Sequence, residues 1–177
     1  MKGMVFTELL DMVEDKFGID MVDSILDEAD LPVSHGAYTA VGTYPHEEIV
    51  SIVMQLSKQS SLPPEELLKI FGEHLFTRFH QLYPQFFEDS KCAFDFLQNI
   101  DQYIHVEVRK LYPDAELPDF DCRQIGNEMI MTYTSSRHME PFAEGLIRGC
   151  LKHYQETAQI CCESNGENSS IFTISLQ

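Results

Sequence analysis

The sequence predicts an α+β protein: a mostly helical N-terminal half, then an antiparallel sheet with one long helix inserted into it. Three observations carry this. Apolar residues recur at helical spacing from the first residues to Leu111. After Pro118 the pattern becomes β-rich, with Met129-Ile130-Met131-Thr132-Tyr133-Thr134-Ser135 as its clearest strand. Helical spacing then returns from about Met139, and Asn165-Gly166 marks a closing hairpin.

Residues 2–17 read as the first helix, with Val5, Leu9, Met12 and Val13 on one stripe and Gly18 as its stop. A second helix follows over about 20–30, carrying Val22, Ile25 and Leu26. Pro32, Gly36, Gly42 and Pro45 make 31–46 a loop. Residues 46–58 are a third helix, with Ile49, Val50, Val53, Met54 and Leu56. Ser60-Ser61-Leu62-Pro63-Pro64-Glu65-Glu66 starts a fourth, because proline and acids suit a first turn. It presents Leu67, Leu68, Phe71, Leu75 and Phe79 and stops near Leu82, at Tyr83-Pro84. Residues 91–111 read as one further helix, and Pro113 and Pro118 bracket a loop. Phe120–Gln124 is a partner strand for 129–135, with a turn near Gly126-Asn127. The inserted helix has Phe142, Leu146, Ile147, Cys150, Leu151 and Tyr154 on one side. Gln159–Glu163 and Ser170–Leu176 flank the last turn as strands.

The formal net charge of −17 argues against nucleic acid, which needs clustered Lys and Arg, and favours a partner with a basic surface or simply solubility. No basic leader precedes the first helix and no run of 18 apolar residues spans a membrane, so a cytoplasmic protein is expected. Five cysteines, an odd number without secretory context, do not suggest a disulfide framework. No Gly-rich phosphate loop, Gly-x-Ser-x-Gly or His-Glu-x-x-His occurs, so no enzyme is expected.

His105 lies on the inward face of the 91–111 helix, in line with Phe94, Leu97, Ile100 and Ile104, and the stripe continues through Val108 and Leu111. Two readings fit: a hydrogen-bonded core histidine, or an axial ligand to a metal or haem iron. Tyr133, Ser135 and Arg137, spaced i, i+2, i+4, would share one face of a strand. A phenol, a hydroxyl and a guanidinium together suit carboxylates such as haem propionates. The other reading is a polar sheet face on which Arg137 pairs with an acid.

Taken together, the helix histidine and Tyr133-x-Ser135-x-Arg137 resemble the haem-nitric oxide/oxygen binding family, the haem domain of soluble guanylate cyclase and its bacterial stand-alone relatives. The likeness runs from Met1-Lys2-Gly3 through Gly72, His105, Leu117-Pro118 and Phe142-x-x-Gly145-Leu146-Ile147 to the final hairpin. It implies one domain over 1–177, with about 1–62 as a distal helical part and about 63–177 as the proximal helix and sheet, haem b between them. His105 is then the iron ligand, Tyr133, Ser135 and Arg137 the propionate clamp, and Pro118 a porphyrin contact. The distal wall resembles Val5, Leu9, Leu75, Phe79, Phe142 and Leu146, all apolar. Relatives that hold O2 carry a tyrosine where Phe142 stands. The resemblance therefore implies a sensor that binds NO and CO but little O2, and signals by release of His105 and haem relaxation. Its partner would be a histidine kinase, as in two-component signalling, or a diguanylate cyclase/phosphodiesterase, since the chain carries no output domain of its own.

Two other readings stand beside this one. Cys150, His153, Cys161 and Cys162 offer ligand-type residues for zinc, or thiols for a redox-responsive regulator, although adjacent Cys161 and Cys162 would point to opposite faces of a strand. A haem-free interaction module is the third. His74 and His80 flank the fourth helix and are expected at the surface.

Overall fold

The computed structural model describes residues 1–177 and is the expected α+β arrangement. Two compact units divide it, Met1–Phe71 and Gly72–Gln177. No helix is long and apolar enough to cross a membrane.

The first unit holds α1 (Gly3–Phe17), α2 (Ile19–Glu28), α3 (His46–Ser60) and the start of α4 (Pro64–Leu82). Gly18, at φ 88°, accepts the left-handed turn that ends α1, as its position in the sequence predicts. Phe6, Leu9, Met12, Val13, Ile25, Ile49, Ile52 and Leu56 form the unit's buried apolar set. The loop between α2 and α3 is held by one buried acid. Glu48 accepts from the backbone N–H groups of Val33 (2.8 Å) and Ser34 (3.1 Å) through Oε1, and from the Tyr38 hydroxyl (2.8 Å) through Oε2. Tyr38 in turn stacks on Phe6, with ring centroids 4.5 Å apart.

In the second unit, α5 (Ala93–Gln98), a π turn (Ile100–Ile104) and α6 (His105–Leu111) lead into β1 (Asp119–Ile125) and β2 (Glu128–Thr134). Then come α7 (Glu140–His153), β3 (Ala158–Ser164) and β4 (Ser169–Leu176). The strands pair antiparallel in the order β1-β2-β4-β3, so α7 is the helix inserted between two hairpins. Alternation selects the inner face: Met129, Met131 and Tyr133 of β2 and Ser170, Phe172 and Ile174 of β4 are buried. Ala143, Ile147, Cys150 and Leu151 of α7 and Phe94, Phe96 and Leu97 of α5 complete that core.

Glu48 gives a direct check on the first unit. Only 1% of it is exposed, and burial alone would raise its pKa. The hydrogen bonds from Ser34, Val33 and Tyr38 outweigh burial and hold the carboxyl below its ordinary value. A depressed folded pKa contributes stability above the unfolded value, about 4.3, that is lost as pH falls through the folded one. Glu48→Gln should therefore lower stability by about 1–3 kcal/mol near neutral pH. The gap to the wild type should close on acidification below about pH 4, as read from urea midpoints across pH.

Candidate functional site

The 91–111 segment is not the single helix its periodicity predicts. At Asn99 the chain adds a residue: the Asn99 carbonyl accepts from both Tyr103 N (2.9 Å) and Ile104 N (3.2 Å), the i+4 and i+5 positions. The π turn that results ends at Ile104, and His105 is the first residue of α6. Such turns often mark functional positions. Within α6, Val108 stays buried while Leu111, expected on the same stripe but the last residue of the helix, is 50% exposed.

His105 is only 8% exposed. Its Nδ1 lies 2.7 Å from Asp101 Oδ1, one turn earlier on the π segment. The two buried atoms face each other without the alignment of a regular hydrogen bond. Asp101 Oδ2 accepts from the backbone N–H of Phe120 at 2.6 Å. Burial pushes the His105 pKa below the ordinary histidine value, against the opposing pull of Asp101, so the neutral ring is favoured. With Nδ1 turned to Asp101, Nε2 is the nitrogen left for a ligand.

A line of aromatic rings runs from this histidine to the second cluster. His105 and Phe120 have centroids 5.8 Å apart, and Phe120 and Tyr133 5.4 Å. Phe120 and Tyr133 are direct partners across β1 and β2. Tyr133 is 4% exposed; burial raises its phenol pKa, while hydrogen bonds from Ser135 and the Met139 backbone oppose that rise. Ser135 and Arg137, expected on the same strand face, lie beyond the end of β2 at Thr134. They converge through a turn instead, with Arg137 N donating to Ser135 Oγ at 3.2 Å. The Arg137 guanidinium donates to the Glu116 carbonyl (2.8 Å) and to Glu116 Oε2 (2.6 Å). It thus already grips a carboxylate, as well as the backbone two residues before Pro118. Pro118 is half-buried and immediately precedes β1.

The remaining wall residues of this unit are set by a close approach of α4 and α7. A Cβ on Gly72 would collide with the Phe142 carbonyl and come within 2.7 Å of Leu146 N. A Cβ on Gly149 would lie 2.7 Å from Phe76 Cβ. Glycine at both points lets the helices touch, and the ion pair of Lys152 with Glu73 ties them further along. Leu75 is buried here, and Phe79, Phe142 and Leu146 are half-buried. Of the two wall residues in the first unit, Leu9 is buried and Val5 half-buried.

Cys150, His153, Cys161 and Cys162 are not gathered into a metal site. No group of three or more His, Cys, Asp or Glu side chains could hold an ion. Cys150 is buried against Ala93 O (3.9 Å), with its thiol pKa pushed well up by burial, whereas Cys161 and Cys162 are exposed on β3. Their alternation along the strand and the inward turn of Cys150 separate the ligands that proximity in sequence suggests. His153 packs instead against His80, with centroids 4.3 Å apart, so His80, expected at the surface, is half-buried, as is His74.

Sequence reading missed Asp101, Phe120 and Glu116. An acid four residues before a histidine on a helix is the one signal that could have drawn attention to Asp101.

The second unit thus places a buried histidine, facing Asp101, within reach of a turn whose arginine holds a carboxylate. The family model described as Haem-NO-binding matches residues 2–162, and the chain belongs to that family. Among solved structures it is similar to the Fe(II) unliganded H-NOX protein from K. algicida, at 39% identity and TM-score 0.93 over 100% of this chain and 97% of that one. It also resembles the H-NOX from Shewanella woodyi in the Fe(II)CO state, at 42% identity, TM-score 0.84 and coverage of 99% and 94%. The H-NOX protein from S. oneidensis in the Fe(II)NO state matches at 27% identity, TM-score 0.90 and coverage of 100% and 99%. No curated protein matches. The chain therefore has the fold of a haem-based gas sensor.

The α4–α7 contact is testable through Gly72. Gly72→Ala forces α7 away at Phe142 and should destabilise the protein by about 1–3 kcal/mol, the usual range for an overpacked site. Chemical denaturation measures it; an unchanged midpoint would show that the helices do not meet at Gly72.

Proposed function

We propose that this chain is a cytoplasmic sensor of nitric oxide that binds NO and CO at ferrous haem b, holds O2 weakly, and signals to a separate protein. The observation that carries the reading is His105 itself: a buried imidazole, biased to the neutral form, with Nδ1 engaged by Asp101 and Nε2 left for iron. The residues present fit the group. Arg137, with Ser135 and Tyr133 beside it, holds a carboxylate in this structure, as it would a propionate. His105 would hold the haem iron, and the group would supply a ferrous centre able to take a diatomic gas.

The wall residues decide which gas. Phe142, Leu75, Phe79 and Leu146 carry no hydrogen-bond donor. O2 draws negative charge when bound and needs a donor; NO and CO depend on one far less. Related proteins are known in Fe(II)NO and Fe(II)CO states, which supports the choice of ligands. His105 would be the residue whose hold on the group responds to NO. Loosening of His105 would relax the restraint on α6, and Pro118 would be the contact of the group that responds with it. Such a ligand-biased two-state element is what a switch requires. A histidine kinase or a diguanylate cyclase/phosphodiesterase would read it, through a basic surface that complements the net charge of −17.

Optical spectra of the ferrous protein test this. In air the wild type should show no stable oxy spectrum, while NO and CO complexes form readily. Phe142→Tyr should gain measurable O2 affinity. A stable oxy form of the wild type would overturn the selectivity. An NO complex that is six-coordinate at every NO concentration would overturn the release of His105.

A further inference from the structure

We infer that Asp101 is the positioning residue of the gas-sensing centre: it orients His105 through Nδ1 and fastens it to the strand beside the propionate clamp. The inference rests on the haem reading proposed above. One carboxylate makes both contacts, with Oδ1 2.7 Å from His105 Nδ1 and Oδ2 2.6 Å from the Phe120 amide nitrogen. Phe120 pairs directly with Tyr133, so only Asp101 and one strand pair separate the ligand from the clamp. Oδ1 and Nδ1 are both buried, so water does not share the contact. A carboxylate on the outer nitrogen of a ligating imidazole fixes its tautomer, sets the ring's angle and raises its basicity toward the metal. Asp101 lies within the π turn, four residues before His105, and its second oxygen takes the Phe120 amide of β1. Asp101 therefore sets the strength of the bond that NO must break, and passes movement of His105 to β1.

Asp101→Asn keeps an acceptor for Phe120 but removes the carboxylate from His105; Asp101→Ala removes both. Resonance Raman of the ferrous protein should show the iron–histidine stretch shifted to lower frequency in both variants, with haem content unchanged in Asp101→Asn. In the diamagnetic CO complex of wild type labelled with 15N-histidine, the His105 Nδ1–H proton should resonate far downfield, as carboxylate-bonded imidazoles do, and Asp101→Asn should move it upfield. Should neither variant fold, the wild-type resonance decides: an Nδ1–H shift typical of imidazole bonded to water overturns the proposal. So does an iron–histidine stretch that is the same in all three proteins, which would leave Asp101 as an anchor for Phe120 alone. A wild type that takes up no haem overturns the sensor reading itself, and this inference with it.

Discussion

As a proposed haem ligand, His105 would have to stand in an apolar wall, remain neutral and still point in one direction. Burial achieves the first two by penalising the imidazolium, which pushes the histidine pKa down. Burial alone does not orient a ring with two nitrogens. Asp101 faces Nδ1 from the π turn, which in the proposed haem reading would leave Nε2 for the iron. The same carboxylate favours the protonated ring, so the site balances desolvation against a buried acid, and desolvation prevails.

The rest of the second unit is arranged around that balance. Asp101 holds the Phe120 amide, Phe120 pairs with Tyr133, and Ser135 and Arg137 follow Tyr133 in the turn after β2. Arg137 reaches back to both the side chain and the carbonyl of Glu116, beside Pro118. From the close His105–Asp101 contact onward, hydrogen bonds and strand pairing connect His105 with Tyr133, Arg137 and the segment before Pro118. A change at His105 has a physical route to each of the others, through elements with defined partners rather than through general flexibility. On the other side of the unit, Gly72 and Gly149 remove the side chains that would hold α4 and α7 apart, which sets where Phe142 and Leu146 stand.

Much of this was legible in the sequence because it follows from periodicity. The stripe of Val5, Leu9, Met12 and Val13, the Pro63-Pro64 helix start and the alternation through Met129, Met131 and Tyr133 all report burial directly, and the elements stand where those patterns put them. The two chemical clusters were legible by residue type and resemblance. What escaped was geometry that leaves no mark in composition. The extra residue at Asn99 depends on one carbonyl accepting two amides, and it turned a predicted continuous helix into α5, a π turn and α6. The strand face shared by Tyr133, Ser135 and Arg137 failed because β2 ends one residue before Ser135, and a serine hydroxyl rather than the pleat gathers the three. Cys150, His153, Cys161 and Cys162 look like ligands only in one dimension; packing sends Cys150 inward, His153 toward His80, and the β3 pair to solvent.

The central claim is that His105 is the one protein bond to a haem iron. The most direct measurement is the absorption spectrum of ferrous His105→Gly, with and without imidazole in solution, beside that of the wild type. The account predicts that the variant shows the wild-type ferrous and CO spectra only when imidazole is supplied, and that its amide-exchange response to NO is lost even then. Wild-type spectra from His105→Gly without imidazole would contradict it.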